Sequence, residues 1–358
     1  MPNQAPLTYW QKTGYRYTDL NSVWQEIKND LLAAKVTLDP VKGAIIECSK
    51  RVVDEQAGHF PIILAVMKRF LPNWREPRKR TSVIFCLEDG FWFAKGKLSY
   101  RAPIFAWGKY CYDNQTLLMP DSEFFETDAY KDTLAEIFEH ETKFPWEKKK
   151  NKVFWRGATS GVMMRTDRWE TEPRVLLAKV SQKINDPDKL DAWFGRVVDY
   201  GDPEITARPE KAGLVRDFRP LKEFFEHRYL IYIDGMHCAW PMHYLTLASH
   251  CAVLKVERPF EQWYYRRLKP WVHYIPVDDK LLHFEELLEW VFAHSQECYE
   301  IAENGHQFMK NITLESAEQE FYELLNNILD CQQDETPKNI DIPIAEIGKT
   351  GDGPLLAT

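Results

Sequence analysis

The sequence has no Cys-x-x-Cys pair, and its seven cysteines (Cys48, Cys86, Cys111, Cys238, Cys251, Cys298 and Cys331) are scattered and odd in number. Free thiols in a reducing compartment, rather than a disulfide framework, are the natural reading. No apolar run approaches the roughly 18 residues that a membrane-spanning helix needs. Residues 1–9 also lack the basic-then-apolar pattern of a secretory leader. The expected location is cytoplasmic, with peripheral contact at the inner face of a membrane left open. Excess positive charge is missing too: the net charge is −8, which argues against nonspecific nucleic-acid binding. Two local basic runs, residues 75–80 and 148–152, read as solvated segments. There is no GxSxG, no P-loop and no GxGxxG.

What is present describes an ordinary globular chain. Its 358 residues suggest two domains, and 44% hydrophobic with 28% charged residues can build a full core. Aromatics reach 14%, with 13 Trp. Most of these belong to the core, although flat rings also suit sugar or base ligands.

Residues 1–80 read as mostly helical: Val23, Ile27, Leu31 and Leu32 recur at helical spacing, as do Ile62, Val66 and Phe70. Residues 82–87 form a β-rich run that ends in Glu88-Asp89-Gly90. Residues 103–107 look like another strand, and 121–151 a polar helical region. The second half alternates strands and helices. Strands are expected at 153–155, 229–233, 252–256 and 272–277, with helices at 174–183 and 284–294. Ser316-Ala317-Glu318-Gln319 fits a capping box for a last helix carrying Phe321, Leu324, Leu325 and Ile328. This rhythm predicts a parallel, doubly wound sheet. The expected division is an N-terminal α/β domain over 1–147, a Rossmann-like domain over 148–330, and a loose tail over 331–358.

In open parallel sheets, ligands gather at the carboxyl ends of strands. That rule selects Arg156-Gly157 after one strand, Asp234-Gly235 after another, and Glu88-Asp89-Gly90 in the first half. A strand ending in glycine and hydroxyl residues leaves N–H groups that can cradle an anion, and Arg156 adds a fixed cation. The plainer reading of each is an ordinary turn. Asp186-Pro187-Asp188 has the form of a metal-holding acidic pair, but no strand precedes it, so a turn is the expectation. His237, Cys238 and His243 match no standard zinc spacing.

Assembled in order, these segments resemble glycosyltransferase family 90, which includes capsule-associated and lipopolysaccharide-modifying enzymes and the protein O-glucosyltransferases. The resemblance runs over roughly residues 60–330. It rests on Leu87-Glu88-Asp89, Pro103-Ile104-Phe105, Phe144-Pro145-Trp146-Glu147 leading to Phe154-Trp155-Arg156-Gly157, Arg228-Tyr229-Leu230 with Ile233-Asp234-Gly235, and Ile301-Ala302-Glu303-Asn304-Gly305. The most specific segment is the block Leu268-Lys269-Pro270-Trp271-Val272-His273-Tyr274-Ile275-Pro276-Val277.

The resemblance implies a GT-B-like α/β architecture, two Rossmann-like domains facing across a cleft. It implies inverting, metal-independent transfer with no cofactor beyond a nucleotide-sugar co-substrate, usually a UDP-sugar. The acceptor would be a glycan, lipopolysaccharide, glycolipid or other saccharide, with Asp89 as catalytic base. Arg156 and Gly157, Thr159, Ser160, Arg174, Asp234 and Gly235 would form the donor side. Family members commonly follow the Asp-Gly with a segment whose arginine meets the diphosphate. Residues 236–243 have none, and His237 or His243 is the expected replacement. A catalytically inactive nucleotide-sugar or glycan-binding protein on the same fold is the alternative, and a metal-dependent hydrolase a third.

Overall fold

The computed structural model describes residues 3–54, 60–75, 79–89, 100–161, 167–339, 344–347 and 355–356. Gly90 and residues 76–78 of the first basic run lie outside the described residues. In chain order the strands are β1 (Ala33–Asp39), β2 (Gly43–Cys48), β3 (Thr81–Cys86), β4 (Ile104–Ala106), β5 (Gly108–Tyr110), β6 (Leu117–Leu118) and β7 (Lys150–Ala158). They continue with β8 (Leu190–Arg196), β9 (His227–Tyr232), β10 (Ala252–Val256), β11 (Phe260–Gln262), β12 (Ile275–Val277), β13 (Ile344–Ile347) and β14 (Leu355–Leu356).

The chain forms two compact units. The first comprises Met1–Ala129, Pro259–Arg267 and Thr313–Thr358; the second comprises Tyr130–Arg258 and Leu268–Ile312. These limits differ from the expected ranges at both ends. Residues 130–147 join the second unit because Glu141 receives an ion pair from buried Lys149 at 2.6 Å. The helix Leu314–Leu329 joins the first because Phe321 packs on Phe105 (5.7 Å) and Tyr322 on Phe70 (5.3 Å).

The second unit holds a five-stranded sheet in the order β12-β10-β9-β7-β8, parallel throughout. Val153, Trp155, Ile231 and Leu254 face one core with Val175 and Leu177 of the helix Pro173–Ile184 and Leu288 of the helix Phe284–Ala293. Phe154 points the other way, against Phe224 and His227. Both faces are covered, which is why these strands read as apolar runs rather than alternating ones. The strand expected over 272–277 starts later, at Ile275. Trp271 has φ 61° and its N–H donates to Tyr274 O, so the chain turns tightly before the strand begins.

The first unit is built on a seven-stranded sheet in the order β14-β13-β2-β1-β3-β4-β6. Its β3, β4 and β6 are parallel, while β1 pairs antiparallel with β2 and β3. A smaller sheet pairs β5 with β11. The hairpin of β1 and β2 departs from the helical expectation for residues 1–80. Its signal was masked by Lys35 and Glu47, which face each other across the hairpin and form a buried ion pair at 2.7 Å. The last helix begins one turn earlier than expected, with Thr313 and Ser316 as the capping box. The described part of 331–358 is not a loose arm. The Gln332 side chain accepts the Ser82 N–H (2.7 Å), and β13 pairs with β2. This tail completes a sheet edge, and such edges are costly to leave bare.

Candidate functional site

The carboxyl ends of β7 and β9 lie side by side in the parallel sheet, and one side chain ties them together. Arg174 stands in the first turn of the helix Pro173–Ile184 and is 8% exposed. Its Nε donates to Asp234 O (3.0 Å), Nη2 to Ile233 O (3.0 Å), and Nη1 to Ala158 O (2.9 Å) and Ser160 O (3.0 Å). The fork of donors on a guanidinium makes this bracing feasible, whereas an ammonium would be a single point. Burial pulls the group down to about 10, with Asp234 opposing the shift, so it stays charged at neutral pH. A positive charge and a helix N-terminus therefore coincide at the strand ends, the arrangement that favours anions.

The two exit loops touch backbone to backbone. Gly161 has φ +78°, and a Cβ there would lie 1.9 Å from Met236 N. At Gly235 a Cβ would lie 3.0 Å from Arg174 Nη2. Gly161 is required by close backbone approach, while a side chain at Gly235 would press on the Arg174 guanidinium. Gly157 is the next-to-last residue of β7, and the pairing with β8 shifts register between Gly157 and Ala158. Ser160 is exposed at the rim, its hydroxyl 3.3 Å from Arg174 Nη1.

Other expected donor-side residues face inward. Thr159 is fully buried: its Oγ1 accepts the Val198 N–H (2.9 Å) and its carbonyl accepts the Tyr200 hydroxyl (2.6 Å). Arg156 is paired with Asp191 of β8 at 2.8 Å and donates to Asp191 O at 3.0 Å. Its guanidinium also lies 4.9 Å from the Phe154 ring. Arg156 therefore braces the sheet face opposite Trp155, and Arg174 takes the strand-end position.

Asp234 is buried and its Oδ1 accepts from the Tyr232 hydroxyl and from Ala239 N–H (3.3 Å), which shapes the loop after β9. Burial raises its pKa, against the pull of Lys255. His237 and His243 are 3% and 0% exposed. His243 lies 4.2 Å from the Tyr232 ring, and burial, reinforced by Lys255, holds it far below the usual imidazole value. As surface anion partners in place of an arginine, both imidazoles are disfavoured by this burial. Asp186 and Asp188 form the expected turn, with Asp186 Oδ1 accepting the Asp188 N–H.

Lys255 escaped the sequence reading. It is 4% exposed, 3.3 Å from Glu257, with its ammonium 5.5 Å from the Tyr274 ring. One lysine inside the apolar run Ala252–Val256 was the available signal. The structure brings Arg174, Ser160, Gly235, Asp234 and Lys255 to one end of the sheet.

In the first unit, Leu87 N–H donates to Leu32 O, which continues β3 by one residue. Glu88 is engaged: its Oε1 accepts from Leu32 N–H (2.9 Å) and Arg51 Nη1 (2.6 Å). Asp89, the next residue, is exposed.

His227 gives this unit a pH dependence. Its ring stacks on Phe154 at 4.2 Å, and burial pulls its pKa from 6.5 to about 4. Between those values the unfolded chain binds a proton that the folded chain does not, so stability falls as pH drops through that window. The expected contribution is roughly 3 kcal/mol, from 1.36 kcal/mol per unit. Urea midpoints at pH 7 and pH 5 should draw apart less in His227→Phe than in the parent. An equal pH effect in both proteins would show that other groups dominate.

The sequence profile described as Glycosyl transferase family 90 matches residues 91–337. Protein O-glucosyltransferase 2 of Danio rerio is 30% identical over 254 residues, covering 68% of this chain and 46% of the relative. Protein O-glucosyltransferase 1 of Homo sapiens is 30% identical over 171 residues, covering 47% of this chain and 39% of the relative. The chain thus spans less than half the length of these relatives. Among solved structures, Anabaena HepE in complex with UDP and glucose aligns with a TM-score of 0.35 at 10% identity, covering 53% of this chain and 52% of that one. The C-terminal domain of the Francisella tularensis glycosyl transferase LpcC aligns with a TM-score of 0.32 at 14% identity, covering 49% and 90%.

Proposed function

Because this chain belongs to glycosyl transferase family 90, we propose that it is an inverting glycosyltransferase that moves a sugar from a nucleotide-sugar, a UDP-sugar in the first instance, to a saccharide hydroxyl. The observation that carries this reading is the strand-end brace. A charged, buried Arg174 and a helix N-terminus meet between two exit loops whose glycines admit close approach. Glycosyl transfer needs the departing nucleoside diphosphate to have its growing charge stabilised. Here Arg174, Lys255 and the helix N-terminus supply positive potential from within the protein, with the exposed Ser160 hydroxyl at the rim.

On the acceptor side, Asp89 takes the proton of the attacking hydroxyl as that oxygen closes on the anomeric carbon. The bond to the diphosphate oxygen breaks on the opposite face, and configuration inverts. No step of this scheme calls for a metal ion, and chelator is expected to leave turnover intact.

The test is a thermal-shift panel of UDP, UDP-glucose, UDP-galactose, UDP-xylose, GDP-mannose and ADP-glucose, followed by a product assay with the donor that binds. A donor at 100 times its dissociation constant adds about 2.7 kcal/mol. No shift with any nucleotide-sugar would overturn the donor site. A shift without product in a broad saccharide acceptor screen would favour a binding protein instead.

A further inference from the structure

A departing nucleoside diphosphate needs a cation that can touch it, and the cations described above are committed elsewhere. Every nitrogen of the Arg174 guanidinium donates to a backbone carbonyl, Lys255 is 4% exposed, and Arg156 is held by Asp191 on β8. Residues 236–243 contain no arginine, and both imidazoles there are buried. We propose that Arg258, just past the carboxyl end of β10, is the arginine that grips the donor's diphosphate; this rests on the transferase reading and names the contact residue for it.

The strand places it. β10 lies beside β9, with Ala252 to Lys255 level with Tyr229 to Tyr232 in parallel register. Counted onward, that register sets Arg258 level with Gly235 in the exit loop that Arg174 braces. Side chains alternate along an extended chain. Lys255 and Glu257 share one side: they pair at 3.3 Å, and Glu257 also accepts the Tyr274 hydroxyl at 2.9 Å. Leu254 and Val256 take the other, in the core with Val175 and Leu177 of the helix Pro173–Ile184. The Glu257 N–H donates to Val277 O at 2.8 Å, so pairing continues past Val256, and Pro259 disfavours a helical turn at Arg258. Arg258 therefore extends the row of Leu254 and Val256 out of the core, toward the first turn of that same helix.

The surroundings agree with this placement. Arg258 is half-buried. Glu172 precedes the helix; burial raises its carboxyl, and Arg258 opposes the rise. Burial lowers the Arg174 guanidinium, and the like charge of Arg258 adds to that. Two guanidinium groups and a helix N-terminus at one strand end repel one another, so an anion entering there relieves the repulsion. A planar fork of donors suits paired phosphate oxygens. As the bond to the anomeric carbon breaks, charge grows on the diphosphate, and the contact strengthens with it.

The probes are inorganic pyrophosphate and the tightest-binding nucleotide-sugar of the thermal-shift panel, titrated calorimetrically into the full chain at low salt in metal-free buffer. The parent should bind both. Arg258→Gln should weaken each at least tenfold. Arg258→Lys, which keeps the charge and loses the fork, should weaken each at least threefold. Arg196→Met, an exposed arginine removed from the end of β8, should stay within twofold of the parent. Parent-like binding by Arg258→Gln, an equal loss in Arg196→Met, or a lowered urea midpoint without selective loss of either probe would overturn the assignment. So would a parent that binds the nucleotide-sugar and not pyrophosphate. Each of these leaves the donor site standing. If the parent binds neither probe, the transferase reading fails first, so the two failures are distinguishable.

Discussion

Asp89→Asn should lower the rate of sugar transfer by about 10²–10⁴-fold, the usual cost of removing a general base. The substitution keeps the shape of the side chain and removes its basicity. Asp89 follows the parallel part of the first unit's sheet, one residue beyond Glu88, and it is exposed. Glu88 is the natural rival, but the structure commits it elsewhere. Its carboxylate holds the Leu32 N–H and pairs with Arg51 at 2.6 Å. Glu88→Gln should therefore cost stability through the lost Arg51 pair, and little activity. Single-turnover rates for the two variants, with donor affinity measured alongside, decide between them. A fully active Asp89→Asn with an inactive Glu88→Gln would reverse the assignment. A large loss of donor affinity in Asp89→Asn would make Asp89 a binding group rather than a base.

The second unit was the more legible half. Its strands are buried on both faces, and the apolar runs at 153–155, 229–233 and 252–256 announce themselves without any knowledge of partners. The first unit hides its hairpin because a strand carrying Lys35 looks polar until Glu47 is seen opposite it. That pairing is a long-range fact that no local window contains. The same limit governs the site. Strand-end glycines mark the two exit loops, but which arginine faces the strand ends depends on neighbours. Arg156 meets Asp191 on β8, while the hydrogen bonds of Arg174 among the described residues go to neutral oxygens. Nor could spacing reveal that the two imidazoles in the loop and helix after β9 are almost wholly buried.

Arg174→Met should lower unfolding stability by about 3–5 kcal/mol, the scale for removing one partner from a buried charged network. Methionine has a comparable reach but donates nothing. The carbonyls of Ala158, Ser160, Ile233 and Asp234 would lose their shared donor. Each buried polar group left unsatisfied costs about 1–3 kcal/mol. Asp234, already raised by burial, would also lose a nearby cation and move further up. Arg174→Lys is the informative companion. It keeps the charge but replaces a planar fork with one compact ammonium, which cannot span both strand ends. It should recover part of the stability and little of the nucleotide affinity, because the exit loops would no longer be held in register. Urea unfolding and nucleotide-sugar thermal shifts on the same preparations separate the two effects. If Arg174→Met lost less than about 1 kcal/mol, the range of an ordinary net hydrogen bond, the brace would be dispensable. The donor site would then have to be sought away from the β7 and β9 exits.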